Sequence, residues 1–335
     1  MQFPTKENAM PFNEETWICL SGGNALGAFH AGGCEALAMA GVEPTVIGGA
    51  SAGALIGAIF AGNALEQRMT RMKEFWALAQ QSSFLPQSKA AQIGSGLQTL
   101  MAGRPGLFHP HFPLPLASSL LGFSRRPSLF DTAPQRRQLE RFIDFDRLNH
   151  GPIRFVVTAV DVESGELAVF DTRQAPITVD HLMASSAFPI AFPPVEIEGR
   201  HFADSGLVCN LPLEPLFAEK PTAAVTCLAL DTATPQGPVP SSIDEALLRA
   251  QDILFAGQSR RALASVHERL AGWRVGNEEA PDSRVLYLPY HAEDGVEAGL
   301  KMLDFRADSV QQRWSEGKRK VEAALVAMRD ERCPV

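Results

Sequence analysis

Short, largely apolar runs recur along the chain and predict buried strands. They are Trp17-Ile18-Cys19-Leu20, Thr45-Val46-Ile47, Ile153 to Val160, Leu167 to Phe170, Ala223 to Asp231 and Val285-Leu286-Tyr287-Leu288. The turn Glu163-Ser164-Gly165 joins the third and fourth runs as a hairpin, and a second hairpin pairs Val195-Glu196-Ile197 with His201-Phe202-Ala203 across Gly199-Arg200. Apolar residues at helical spacing predict helices over Ala28 to about Ala40 with Gly41 as a left-handed stop, and over Ala54 to Ala61, Glu66 to Gln81, Arg136 to Leu148 and Asp180 to Ser185. Ser242-Ile243-Asp244-Glu245 has capping-box spacing and starts a helix reaching towards Leu270. Val310, Trp314, Val321, Leu325 and Met328 recur at helical spacing in a last, packing helix.

Two strand-to-helix junctions are rich in glycine. The first strand runs into Ser21-Gly22-Gly23-Asn24-Ala25-Leu26-Gly27, an architecture that cradles an anion on backbone N–H groups. The anion is a nucleotide phosphate or, with a serine nucleophile nearby, a tetrahedral oxyanion. A dinucleotide fingerprint wants glycine where Asn24 stands, and a phosphate-binding Walker loop wants a lysine that is absent. The second strand runs into Gly49-Ala50-Ser51-Ala52-Gly53, a G-x-S-x-G sequence. It reads as a nucleophile elbow, with Ser51 projected from a sharp turn and Gly49 and Gly53 admitting close backbone approach. The same residues also suit a buried Gly/Ala-rich junction with an incidental serine.

A serine nucleophile needs a base. The late histidines are poorly placed for that role, since His267 lies in a helical pattern and His291 in a polar loop. Asp204 follows a strand and opens the small-residue turn Asp204-Ser205-Gly206, where a carboxylate can be held rigidly. Aspartates also occur in such turns for structural reasons alone.

Composition changes between Ser82 and Pro134, which is rich in Pro, Gly, Ser and Phe. The segment is expected to be an irregular insertion that borders the site, as a lid or a covering loop. Its His109-Pro110-His111 is a weak metal signal without a third ligand nearby. The 335 residues are 45% hydrophobic, enough for one large core, and carry a formal net charge of −8, which argues against a nucleic-acid partner. Met1 to Thr16 lacks the basic start and apolar core of a secretory signal, and the longest apolar run is too short to span a membrane. A cytoplasmic location is therefore expected. The five cysteines have no metal-like spacing and read as small core residues.

Taken together, Gly22-Gly23-x-x-x-Gly27, Gly49-x-Ser51-x-Gly53 and Asp204-x-Gly206 resemble the patatin-like phospholipase family. Ser185-Ser186-Ala187-Phe188-Pro189 and Thr158-Ala159-Val160-Asp161 followed by Gly165 extend the likeness, which covers roughly Trp17 to Leu230. The resemblance implies a three-layer α/β/α fold around a central, mostly parallel sheet. It implies an N-terminal tail over 1–16, a catalytic domain over 17–230 and a helical extension over 231–335 packed on that domain.

In chemistry, the resemblance implies a Ser-Asp dyad hydrolysing lipid acyl esters, with Ser51 as nucleophile and Asp204 as base. Backbone N–H groups around Gly22, Gly23 and Asn24 form the oxyanion hole, and Gly27, Gly49, Gly53 and Gly206 support the motifs. No metal or organic cofactor is required. The expected partners are a lipid or other acyl ester and, transiently, a membrane surface. The oligomeric state is not set by the sequence. Three positions depart from the family pattern: Asn24 replaces a glycine, Leu26 replaces a basic residue, and Ser205 replaces a glycine after the base. These departures leave a neutral or hydroxyacyl ester open beside phospholipid, and they leave a non-catalytic lipid- or acyl-binding protein on the same fold as the rival reading.

Overall fold

The computed structural model describes residues 15–81, 88–111, 127–275, 281–292 and 297–330. Ten strands lie among them: β1 Glu15–Leu20, β2 Val46–Ala50, β3 His109–Pro110, β4 Phe130–Asp131, β5 Arg154–Asp161, β6 Leu167–Asp171, β7 Val195–Ile197, β8 Arg200–Asp204, β9 Val225–Asp231 and β10 Arg284–Pro289. The principal helices are α1 Gly27–Ala40, α2 Ala52–Ala61, α3 Leu65–Ala79, α4 Lys89–Ala102, α5 Ala133–Phe142, α6 Phe145–His150, α7 Val179–Ser185, α8 Leu213–Leu216, α9 Ile243–Arg274 and α10 Ala307–Asp330. The main sheet has the order β10-β9-β1-β2-β5-β8-β7, with β6 also paired to β5. The run from β10 to β5 is parallel and the remaining strands are antiparallel.

Strand side chains alternate between faces, and this alternation divides the core in two. Ile18, Leu20, Ile47, Leu228 and Leu230 point to one face and pack with residues of α1, α2, α3 and α10. Trp17, Cys19, Val46, Cys227 and Ala229 point to the other, where Leu213 and Leu216 of α8 and Ala262, Val266 and Leu270 of α9 cover them. Helices on both faces of a mostly parallel sheet make three layers, as expected. The cysteines Cys19, Cys34 and Cys227 are buried and free, Cys209 is half-buried, and Cys333 lies outside the described residues.

Two expectations need correction. The insertion is not irregular throughout: Ser88 caps α4 by accepting from the Ala91 N–H at 3.2 Å, and β3 pairs with β4. Gly94, Ser95 and Gly96 disguise this helix as loop, but Gly96 is small because Leu300 packs onto it, 2.5 Å from where a Cβ would sit. Residues 82–87 and 112–126 of the insertion lie outside the described residues. The helix expected from Arg136 to Leu148 is two, because Ile143 is extended and the Asp144 carboxylate caps α6, accepting from the N–H groups of Asp146 and Arg147.

Candidate active site

Parallel neighbours β9, β1 and β2 end at one edge of the sheet, and their carboxyl ends lead into Thr232, Ser21 and Ser51 respectively. Such an edge is where open α/β sheets collect their polar loops. β5 brings in the acid: Ala50 pairs with Thr158, and Ala159 pairs with Asp204 of the antiparallel β8. Ser51 and Asp204 are thereby set at neighbouring levels of the same strand.

Ser51 has φ 52° and ψ −125°, a conformation that L-residues rarely adopt. Its surroundings hold it there. The Ser51 N–H donates to Ser185 Oγ at 2.9 Å, and its carbonyl accepts from Leu55 N at 3.2 Å. A Cβ at Gly49 would stand 2.6 Å from Ala54 N, and one at Gly53 would meet the Leu20 carbonyl, so the turn closes only around glycine. α2 begins immediately after Ser51 and directs the positive end of its dipole at the turn.

Asp204 is buried, 3% exposed, and the Ser51 hydroxyl lies near enough to its carboxylate to favour the charged form. The carboxylate accepts the Gly206 N–H at 2.7 Å. Burial pushes its pKa up to about 6, against the pull of the Ser51 hydroxyl and the Gly206 N–H. Ser205 does not disturb this turn, because its buried hydroxyl meets Thr158 Oγ1 at 2.8 Å.

The Ser21–Gly27 loop is fixed on every side. His30 Nε2 donates to the Ser21 carbonyl at 2.8 Å, and its burial lowers the imidazole pKa to about 4, which keeps the ring neutral. Gly22 N–H donates to the Asn210 carbonyl at 3.0 Å, and Thr232 Oγ1 donates to the Gly22 carbonyl at 2.5 Å. The α9 side chain Gln258 ties the flanking turns together, accepting from Asn210 N at 2.9 Å and donating to the Gly206 carbonyl at 3.1 Å. Asn24 sits at φ 50°, the left-handed region that asparagine tolerates better than most residues. Of the three residues expected around the oxyanion hole, Gly22 has its own N–H committed to the Asn210 carbonyl. Gly23 and Asn24 remain.

Ser51 and Asp204 open onto a cavity of about 460 Å³, within the ~300–1,000 Å³ typical of small-molecule sites. Its walls are apolar, with Trp76, Phe108, Phe130, Phe192, Leu300 and Phe305 among them, and its polar groups besides the pair are Asn24, Gln135, Ser186 and Gln251. Among the described residues no Lys, Arg or His lines it. His267 and His291 are exposed, and Leu26 is buried in the core.

A family model described as patatin-like phospholipase matches residues 18–217. The chain belongs to the patatin-like phospholipase family. No curated protein matches it. Among solved structures, this patatin-like chain is similar to VipD from Legionella pneumophila, at 15% identity and a TM-score of 0.43 over 94% of this chain and 67% of that one. It is similar to human GIVD cytosolic phospholipase A2 in complex with methyl gamma-linolenyl fluorophosphonate, at 13% identity and a TM-score of 0.45 over 98% and 59% of the two chains. It is also similar to the ExoU–SpcU complex from Pseudomonas aeruginosa, at 14% identity and a TM-score of 0.39 over 94% and 52%. The chain thus spans between about half and two thirds of the length of these proteins.

Sequence reasoning passed over Ser185, Asn210, Thr232 and Gln258. Only Ser185 carried a signal, as part of the stretch that supported the family resemblance. The others come from elsewhere in the chain and read locally as an ordinary loop residue, a strand end and a helix face.

Proposed function

We propose that this chain is a serine lipid acyl hydrolase of the phospholipase A or lysophospholipase type, working through a Ser-Asp dyad. The observation that carries the reading is the Ser51 hydroxyl, on a strained turn, beside a buried carboxylate at the wall of an apolar cavity. In this reading the acyl chain lies in the cavity with its ester carbonyl at Ser51. Asp204 takes the Ser51 proton as the oxygen attacks, and the N–H groups of Gly23 and Asn24 receive the developing oxyanion. The proton passes to the leaving alkoxide, an acyl-enzyme remains, and Asp204 then deprotonates the water that releases the acid. The apolar walls of the cavity suit an acyl chain.

The test is the intact mass of the protein after exposure to an alkyl fluorophosphonate. The expected outcome is one phosphonyl adduct, absent from Ser51→Ala, with ester hydrolysis abolished in Ser51→Ala and Asp204→Asn. No adduct on the folded wild type would leave the cavity as the pocket of a non-catalytic lipid-binding protein.

A further inference from the structure

Within the tethered Ser21–Gly27 loop, the peptide between Gly22 and Gly23 is held by side chains, whereas its neighbours are held by backbone groups. Neither flanking residue has a side chain to oppose rotation, and a flip of this peptide exchanges its N–H for its carbonyl. The preceding peptide is anchored through Gly22 N to the Asn210 carbonyl at 3.0 Å. The Gly23 carbonyl, in the following one, accepts from Leu26 N at 3.0 Å. Side-chain hydroxyls hold the middle peptide: Thr232 Oγ1 donates to the Gly22 carbonyl at 2.5 Å, with Ser21 Oγ at 3.2 Å from the same oxygen.

We propose that Thr232 is a positioning residue that orients the Gly22–Gly23 peptide so that the Gly23 N–H serves as an oxyanion donor. The proposal rests on the hydrolase reading above. In a trans peptide the C=O and the following N–H point in opposite directions, so fixing the Gly22 oxygen on Thr232 turns the Gly23 hydrogen away from Thr232. Thr232 and the nucleophile flank the loop: a Cβ on Gly23 would lie 2.6 Å from Thr232 Oγ1, and one on Gly22 would lie 3.0 Å from Ser51 Cβ.

Thr232 is itself rigid. It is buried, follows β9 directly, and its N–H donates to Ser21 Oγ at 2.8 Å. The turn behind it is closed by the Asp231 carboxylate, which accepts from Ala233 N at 3.1 Å and from the Tyr287 hydroxyl at 2.9 Å. A carbonyl can only accept, so the single Thr232 proton is directed at Gly22. The residue lies beyond the stretch matched by the family model, which ends at 217.

The variants Thr232→Val, which keeps the shape and removes the donor, and Thr232→Ser, which restores it, test this on the full chain with a p-nitrophenyl acyl ester. Losing an oxyanion donor lowers kcat by on the order of 100-fold. Thr232→Val should approach that loss in kcat, with KM within about twofold of wild type and fluorophosphonate labelling slowed in parallel, and Thr232→Ser should recover most of the rate. A merely structural role predicts instead that Val and Ser variants lose activity together or that KM rises. Either pattern, or wild-type kcat in Thr232→Val, overturns the proposal while leaving the dyad intact. A wild type with no esterase activity and no labelling overturns the hydrolase reading, and this inference with it.

Discussion

A carboxylate buried beside a hydroxyl is a costly place for a charge, and Asp204 titrates accordingly. Burial raises its pKa to about 6, so the acid form is favoured in the folded protein relative to the unfolded chain. Its contribution to stability is fully present below the ordinary aspartate value near 3.8 and is lost as pH rises through about 6. Asp204→Asn, neutral at all pH, is therefore expected to be more stable than wild type at pH 8 by up to ~3 kcal/mol, with the difference vanishing below about pH 4. Urea denaturation of both proteins at several pH values checks this, and equal stability at pH 8 would contradict the buried-charge account. On the hydrolase reading, kcat/KM should also rise through pH 6 to a plateau. At this scale Ser51 and Asp204 stood out as candidates because each lies at a strand end beside small residues. Gly22 was not distinguishable from Gly23, because which N–H is free depends on Asn210, a residue with no local connection to the loop.

Among elements, α1 and α10 approach most closely. A Cβ at Gly32 would strike the Trp314 carbonyl, and one at Gly317 would strike the Phe29 carbonyl, so the two helices touch backbone to backbone. Gly317→Ala is expected to lower stability by ~3 kcal/mol, since overpacking here cannot be relieved by moving a side chain. Gly94→Ala in α4 is the contrast: nothing lies within 4 Å of the added methyl, and the better helix former should raise stability by ~0.5–1 kcal/mol without touching activity. Thermal melts of the two variants compare directly. The apolar periodicity made α10 visible as a packing helix, but small residues carry no periodicity of their own. For that reason neither the backbone contact of α1 with α10 nor α4, with its Gly94-Ser95-Gly96, could be read beforehand.

At the scale of the whole molecule, the family match stops short of what the sheet requires. β1 lies between β2 and β9, and β9 follows the matched residues 18–217. A chain cut after residue 217 would expose the edge of β1 and uncover the face that α9 shields, in addition to losing α10 from α1. Such a fragment is expected to lack a cooperative thermal transition by circular dichroism, and a sharp melt would show the later elements to be dispensable. The alternation of strands and helices was legible from the apolar pattern, and the layered fold from the family resemblance. The strand order was not, because pairing β1 with both a near and a distant strand depends on crossovers that leave no local mark.

The dispersal of the site along the chain has a consequence during synthesis. A ribosome releases the Ser51 turn first, Asp204 well after it and Thr232 later still, and β9 cannot seat beside β1 until then. On the proposed reading the nascent polypeptide carries a serine with neither its base nor an oriented peptide opposite. Hydrolysis of lipid is thereby deferred, on that reading, until Thr232 has emerged and β9 has seated beside β1.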